Sequence, residues 1–432
     1  MPGTPNTQGE KVAPTFGLLG RKLGHSWSPR IHTSLGSVPY ELFEREPDDV
    51  EGFVRNGTWS GLNVTIPYKR DAARLADERS PRVDRLGAAN TLVRRPDGTI
   101  YAENTDVLGF SLMLNRFCTG RLGVSAREVL AGKPAVVLGS GGASAAVQAA
   151  LADAGALVSV ISRSGSDTYE TLAERHADAV LMVNATPVGM YPNCPASPVP
   201  EEVLAQLKNL VGVLDVIYNP TRTGIVLAAE RLGIPADTGL SMLVAQALRS
   251  SELFQGRSLD VSLVDVIERQ ILSETSNVVL IGMPGCGKTT TGKRLARMLG
   301  RPFVDIDDAI EASTGESAAT IIDTRGEQEF RRVESRVTGE YGARSGLVIA
   351  CGGGVVTVPS NYDLLHQNGT IVFIDRPLSE LETSGRPVSA SKGVEALARE
   401  RMGSYRSWAD YSLVSMGSPA GNARAIQGLL GL

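Results

Sequence analysis

Val136–Gly155, VVLGSGGASAAVQAALADAG, and Val278–Leu299, VVLIGMPGCGKTTTGKRLARML, decide how this chain folds. Each runs from a short apolar, strand-like segment through a glycine-rich turn into a helix-like segment. In that setting the free backbone N–H groups of a helix N-terminus hold phosphate. The two loops differ in design. GSGGAS, Gly139–Ser144, has the loose spacing of a dinucleotide fold and carries serine where the strict fingerprint has its last glycine. A tight turn is the plainer reading of such glycines taken alone. GMPGCGKT, Gly282–Thr289, is a complete G-x-x-x-x-G-K-S/T loop of the kind that wraps a nucleoside triphosphate. Two phosphate-bearing cofactors, and so two reactions, are expected of one chain.

Composition agrees with this division. At 432 residues the chain is long for one core, and two or three domains are expected. It is 42% hydrophobic and 21% charged, with a formal net charge of -4, and no basic run tracks a phosphate backbone. Nucleic acid is not an expected partner. No apolar run is long enough to span a membrane, and the opening MPGTPNTQGEK lacks the apolar core of a signal peptide. Cys118, Cys194, Cys286 and Cys351 form no C-x-x-C pair, and the histidines no metal-ligand spacing, which points to free thiols in a reducing cytoplasm. Whether the chain forms a homo-oligomer is left open.

From Phe16 to Phe117 strand-like runs such as TFGLLG, GLNVTI and NTLVRR alternate with helical stretches, the pattern of an α/β domain. The run AVVLG then enters the first glycine loop, and LVSVI resumes as a strand, opening a βαβ unit. After that second strand an NAD site places Asp or Glu for the ribose 2′-hydroxyl. This chain has Ser162 and Arg163, which suit a 2′-phosphate and favour NADP, a surface charge being the rival reading of Arg163. Asp167, close behind, weakens that basic pocket.

Polar segments at the ends of the apolar runs carry more information. GHSWSP (Gly24–Pro29), NVTIPYK (Asn63–Lys69), GAANTL (Gly87–Leu92), ENTD (Glu103–Asp106), DVIYNP (Asp215–Pro220) and GLSMLVAQA (Gly239–Ala247) together resemble shikimate dehydrogenase, over about residues 15 to 272. The resemblance implies that Ser26, Ser28, Asn63, Thr65, Lys69, Asn90, Asp106, Tyr218 and Gln246 bind a polyhydroxylated cyclohexene carboxylate. It implies a catalytic pair in Lys69 and Asp106, where an ordinary Lys and Asp would form a surface ion pair. For NADP(H) it implies Gly139, Ser140, Gly141, Gly142, Ala143, Ser162, Arg163, Val216 and Gly239. NATPVGM (Asn184–Met190) would line the cleft, departing from the commoner NATSxGM, as ISRSGS departs from the NRT form. An ammonium held by a carboxylate is suited to deliver the proton that ketone reduction needs.

In the second half VDIDDAIE (Val304–Glu311), GEQEFRRVE (Gly326–Glu334), CGGGVV (Cys351–Val356) and RMGSY (Arg401–Tyr405) follow the triphosphate loop. In order and spacing they resemble shikimate kinase. The resemblance implies ATP on Gly282, Gly285, Cys286, Gly287, Lys288, Thr289, Thr290 and the lid arginine Arg386. It places shikimate on Asp307, Arg331, Gly353 and Arg401, and Mg2+ on Thr289 and Asp305, with Asp307 and Lys288 catalytic. Two arginines suit one carboxylate because guanidinium pairs with it bidentately. An i,i+3 pair with Glu334 is the rival reading of Arg331, and a small filler is the plainer reading of Cys286 beside an oxidation-sensitive one.

The expected fold class is therefore α/β: a substrate domain, a Rossmann-type NADP domain, and a P-loop domain like those of nucleoside-monophosphate kinases. The expected boundaries are a flexible tail 1–14, a substrate domain 15–118 completed by 240–272, an NADP domain 119–239, a linker 273–277 and a kinase domain 278–432. The implied function is reduction of 3-dehydroshikimate to shikimate with NADPH, then phosphorylation of shikimate by ATP. The alternative is a quinate/shikimate dehydrogenase whose kinase-like half is weakened or senses ligand. That alternative draws on LETSGRPVS, Leu381–Ser389, where only Arg386 matches the lid of the kinase family. A reduced lid excludes water less well. The expected outcome is a high Michaelis constant for ATP or ADP release without shikimate; tight ATP binding without such hydrolysis would contradict it.

Overall fold

The computed structural model describes residues 15–24, 26–381 and 393–432. The expected tail 1–14 and the lid arginine Arg386 lie outside the described residues. The architecture is α/β, and the chain groups into two compact units. Of the described residues, one holds those up to Thr186, Asn209–Val211 and Gly239–Glu268, the other Pro187–Lys208, Gly212–Thr238 and those from Arg269 onward. Residues 187–208 and 212–238, expected within the NADP-binding stretch, thus group with the second unit.

In the first unit a six-stranded sheet has the order Tyr40–Glu44, Phe16–Gly20, Gly61–Val64, Thr91–Arg94, Ile100–Glu103, Glu78–Arg79. The first three strands run parallel, and Thr91–Arg94 is antiparallel to both neighbours. Leu19, Leu62, Leu92 and Ala102 fill its core, and all are fully buried. The helices Thr105–Phe117 and Leu240–Gln255 pack at very close range. A Cβ on Gly109 would stand 2.7 Å from the Met242 carbonyl oxygen and 2.9 Å from the Gln246 Cβ. Only glycine permits that approach.

Pro134–Leu138 runs parallel to Leu157–Ile161 on one side and Leu181–Asn184 on the other. Its last four residues are wholly buried, which is what a near-continuous apolar strand in a parallel sheet requires. The glycine loop follows directly and the helix Gly142–Asp153 begins within it.

In the second unit Gly212–Asp215 pairs in parallel with Ala236–Asp237. A five-stranded sheet, all of whose pairings are parallel, has the order Phe303–Asp305, Val348–Ala350, Asn277–Ile281, Gly369–Asp375, Tyr411–Val414. The triphosphate loop leaves its central strand and enters the helix Lys288–Leu299, which ends at Gly300 in the left-handed conformation. Of the expected linker, Ser273–Thr275 continue the helix Leu263–Thr275, and Asn277 already starts a strand. The Arg301 guanidinium answers the carbonyls of Ser273 and Ser276 there, satisfying acceptors that a helix end leaves free. Among the described residues no helix is long and apolar enough to cross a membrane.

His32, in the helix Ser28–Ser34, has no exposed surface. Its ring stacks on Tyr40 at 4.2 Å between centroids, and Nδ1 lies 3.0 Å from Ser251 Oγ. Burial lowers its pKa from 6.5 to about 3, so the folded state holds it neutral. The unfolded chain takes up the proton first as pH falls. Its contribution is therefore complete above pH 6.5 and is lost as pH falls towards about 3. His32→Gln is expected to flatten the pH dependence of urea unfolding in that window, by up to about 1.4 kcal/mol per pH unit. Equal slopes for the two proteins would refute the assignment.

Candidate functional site

In the first unit strand register brings the polar segments to one edge. Leu19 lies opposite Val64, Asn63 opposite Thr91, and Thr91 opposite Glu103. The connections after Gly20, after Val64, before Thr91 and after Glu103 therefore emerge together, outside the carboxyl ends of the parallel strands. Glu103 anchors the last of these. Burial acts to raise its pKa, but bonds from Arg82, Ser80 and the Asn104 amide outweigh that and lower it.

At this edge Lys69 opens the helix Lys69–Leu75, and Asp106 lies in the first turn of Thr105–Phe117. The Lys69 Nζ meets Asp106 Oδ2 at 2.6 Å, and both side chains are largely buried. The other carboxylate oxygen accepts from Asn90 Nδ2 at 2.9 Å. A helix N-terminus further favours a carboxylate at that place. Asn90 is itself held: its Oδ1 accepts the Thr105 amide at 2.7 Å, and its Nδ2 also reaches Gln246 Oε1 at 3.3 Å.

Beneath these groups lies Ser250, fully buried. Its hydroxyl accepts from Asn63 Nδ2 at 2.8 Å, lies 2.9 Å from Thr91 Oγ1 and 3.1 Å from Thr105 Oγ1, and donates to the Gln246 carbonyl at 3.0 Å. Tyr40 OH donates to Asn63 Oδ1 at 2.8 Å. Asn63, Lys69, Asn90, Asp106 and Gln246 thus belong to one hydrogen-bonded group. Ser26 accepts from the amide of Ser28, the first residue of the helix Ser28–Ser34, and Thr65 donates its amide to the Leu19 carbonyl, so Ser26 and Thr65 sit in the connections at the same edge. Val216 and Tyr218 belong to the second unit, where burial raises the Tyr218 phenol.

The first glycine loop is shaped for close approach. Gly139 has φ 99°, and a Cβ there would lie 2.7 Å from Thr186 Cγ2. Gly141 and Gly142 face open space. Ser144, the departure from the fingerprint, donates to the Gly139 carbonyl at 2.6 Å and so fastens the loop. Gly239 caps the N-terminus of Leu240–Gln255. Ser162 is buried while Arg163 is exposed, and the Asp167 carboxylate is turned to Arg175 at 3.0 Å.

The second unit holds a cavity of about 570 Å³ lined by Lys288, Thr289, Asp305, Asp307, Arg331 and Arg401 among others. Gly282, Gly285 and Gly287 all have positive φ. Lys288 Nζ is folded back onto the carbonyls of Gly282 and Met283 at 2.9 and 3.1 Å. Thr289 Oγ1 donates to Asp305 Oδ2 at 2.7 Å, and Asp305 Oδ1 accepts the Asp307 amide. Thr290, also expected on ATP, donates its hydroxyl to the Gly287 carbonyl. Cys286 is buried with Sγ against Gly282.

Opposite the phosphate loop, charged groups converge on the turn Gly352–Gly354. A Cβ on Gly352 would stand 2.8 Å from Glu334 Oε1 and 3.0 Å from Asp307 Oδ1, and one on Gly354 would overlap the Arg331 guanidinium. On Gly353 it would meet Pro284 of the phosphate loop at 2.6 Å. Arg401, almost wholly buried, donates Nη1 to the Gly353 carbonyl at 3.0 Å, and Tyr405 OH donates to the same oxygen. Arg401 Nη2 has no hydrogen-bond partner among the described residues. Arg331 does form the i,i+3 pair with Glu334, at 2.6 Å, while still lining the cavity. Burial raises the Glu334 carboxyl, against the pull of Arg331. Thr91, Thr105, Ser250 and the cavity-facing role of Glu334 were not foreseen. For Ser250 a signal exists, since it lies one turn after Gln246 on the same helix.

A family model for the shikimate dehydrogenase substrate binding domain matches residues 18–92, and one for shikimate kinase matches residues 284–426. Shikimate dehydrogenase (NADP(+)) of Clostridium beijerinckii is 34% identical over 266 residues, 57% of this chain and 93% of that protein. Among solved structures, a chorismate mutase/shikimate 5-dehydrogenase fusion protein from Clostridium acetobutylicum is similar with a TM-score of 0.54 and 34% identity, over 60% of this chain and 97% of that one. Quinate dehydrogenase from Corynebacterium glutamicum, in complex with NAD, is similar with a TM-score of 0.52 and 28% identity, over 60% of this chain and 99% of that one.

Ser250→Ala would leave Asn63 Nδ2 without its best buried acceptor. The expected cost is about 1–3 kcal/mol in urea unfolding. An unchanged midpoint would show that the hydroxyl does not organise the group.

Proposed function

Because the chain belongs to the shikimate dehydrogenase family and carries a shikimate kinase domain behind that part, we propose that it catalyses two consecutive reactions on one molecule. The first is reduction of 3-dehydroshikimate to shikimate with NADPH; the second is transfer of a phosphoryl group from ATP to shikimate. The observation that carries this reading is the Lys69–Asp106 contact of 2.6 Å, held from behind by Asn90. We assign the domains as 15–118 with 240–272 for substrate, 119–239 for NADP and 278–432 for phosphoryl transfer. The described cysteines are all free thiols, which fits action in the cytoplasm.

In the first reaction NADPH supplies hydride to the ketone carbon. Lys69 gives its proton to the ketone oxygen as charge develops there, so that carbonyl becomes alcohol and the ammonium becomes amine. Asp106 orients the ammonium and accepts a hydrogen bond from a ring hydroxyl. Asn63, Asn90, Thr65 and Gln246 satisfy the remaining hydroxyls, and Ser26 and Ser28 take the carboxylate. Tyr218 is assigned to substrate binding as well. For the cofactor, Gly139–Ala143 receive the pyrophosphate and Ser162 with Arg163 the 2′-phosphate; Arg163 is exposed, as a residue waiting for that group would be.

In the second reaction ATP with magnesium supplies the phosphoryl group. Arg331 and Arg401 hold the shikimate carboxylate; the Arg401 Nη2, which has no partner among the described residues, supports this, since a buried guanidinium N–H is costly unless a ligand answers it. Asp307 holds the attacking hydroxyl and accepts its proton. Lys288, now on loop carbonyls, turns to the β and γ oxygens. The Thr289 hydroxyl and Asp305 carboxylate, 2.7 Å apart, form an oxygen pair that would hold a magnesium ion, a hard cation that would offset phosphate charge. Likeness to a quinate dehydrogenase favours a second reading in which the first site also accepts quinate.

A paired assay tests the whole: NADPH oxidation with 3-dehydroshikimate, and ADP release with shikimate. Lys69→Ala is expected to lower the first rate about 10²- to 10⁴-fold, a barrier change of about 3–5 kcal/mol, and to leave the second intact. Lys288→Ala should do the reverse. Near-full NADPH-dependent activity in Lys69→Ala would remove the proton-donor assignment.

A further inference from the structure

Residues 212–238 and the kinase-like sheet lie far apart in sequence, yet they share the second unit. Their contact includes main-chain hydrogen bonds, a buried side-chain amide and two arginines. Asp215, fully buried, closes the base of the segment Asp215–Thr223: its carboxylate accepts from the Ile217 amide at 2.9 Å and from Thr223 Oγ1 at 2.7 Å. Thr238 Oγ1 donates to the Thr221 carbonyl at 3.0 Å. The amides of Thr221 and Arg222 are answered from the other half of the chain. Thr221 N donates to Asn368 Oδ1 at 2.8 Å, and Arg222 N donates to the Gln367 carbonyl at 2.8 Å. The Arg222 guanidinium adds a bond to the His366 carbonyl at 3.1 Å.

The acceptor side is rigidly held. Asn368 is almost fully buried, and its Nδ2 is fixed on the Ala343 carbonyl at 2.9 Å, which leaves Oδ1 facing Thr221. His366 Nε2 lies 3.0 Å from Asp410 Oδ1. Alongside, Arg231 bridges Glu201 and Asp363 at 2.7 and 2.6 Å. Half-exposed charges of that kind contribute little by themselves, whereas the buried side-chain amide of Asn368 is costly to leave unpaired. The hydrogen bonds to 366–368 therefore decide where the segment sits.

We propose that the turn His366–Asn368 is a docking surface for the dehydrogenase segment Asp215–Thr223, so that the kinase half positions Tyr218 and sets how well the dehydrogenase holds its substrate. This rests on the reading of Tyr218 as a substrate-facing residue. Asn368 is a positioning residue for a reaction carried out by the other half of the chain. It is remote from phosphoryl transfer. The following residue, Gly369, is in register with Asn277 at the start of the central strand. The phosphate loop leaves the far end of that strand, about 13 Å away at the usual rise per residue.

The test uses the full chain. In Asn368→Ala the Michaelis constant for 3-dehydroshikimate is expected to rise about threefold to tenfold, the worth of one hydrogen bond, while the dehydrogenase kcat and shikimate-dependent ADP release stay unchanged. Amide hydrogen exchange in segment 216–224 should quicken in the same variant. Unaltered exchange there, or an unaltered Michaelis constant in a variant that keeps its ADP release, overturns the proposal. Should Asn368→Ala fail to fold, Asn368→Ser is read by the same criteria. A wild-type chain that does not oxidise NADPH with 3-dehydroshikimate would defeat the functional reading instead, and exchange at 216–224 would still decide whether the docking surface exists.

Discussion

Asp106 is a nearly buried carboxylate at the start of a helix, and a group of that kind persists only if both of its oxygens are answered. Lys69 answers one and Asn90 the other. Neither contact is local. Both depend on a sheet register that aligns Asn63, Thr91 and Glu103 across three strands. Both also depend on two helices close enough to bring Gln246 and Ser250 beneath Asn90, an approach that Gly109 permits. A one-residue slip of any of these strands would turn the polar set away from the edge and strand the carboxylate.

The second unit solves a similar problem with different chemistry. Neutral amides and hydroxyls dominate the first site, suited to ring hydroxyls. In the second, Asp307, Glu334, Arg331 and Arg401 crowd around three consecutive glycines because any side chain there would collide with them or with the phosphate loop. The Gly352–Gly354 turn is thus the floor on which Asp307, Arg331 and Arg401 meet Pro284 of the glycine loop. Glu334 offsets part of the charge that two buried guanidinium groups would otherwise leave uncompensated. The i,i+3 pair weighed as a rival to substrate binding by Arg331 exists, and it aims the guanidinium into the cavity.

Much of this was legible in residue order. Apolar runs flanked by glycine loops, as at Pro134–Leu138 and Asn277–Ile281, have one physical solution, a buried parallel strand feeding a helix N-terminus. The helices Leu240–Gln255 and Lys288–Leu299 begin and end where capping and glycine place them. Ser250 was only partly legible: its place one turn after Gln246 marks the helix face, but its partners Asn63, Thr91 and Thr105 lie far away in sequence. The linker was not legible: SETSN looks polar and loose, but Arg301, well downstream, satisfies its carbonyls and lets the helix run on.

By itself, then, the sequence determined the α/β class, both glycine loops and the polar segments at the strand ends, since strand, turn and helix preferences act over a few neighbouring positions. Which groups face one another was decided only by the tertiary structure. Lys69 and Asp106 are separated by 37 positions, Thr221 and Asn368 by 147, and Asn63 and Ser250 by 187. No local preference specifies such pairs. They are selected when the whole chain collapses, because a buried amide, hydroxyl or carboxylate left without its partner costs more than the fold can spare.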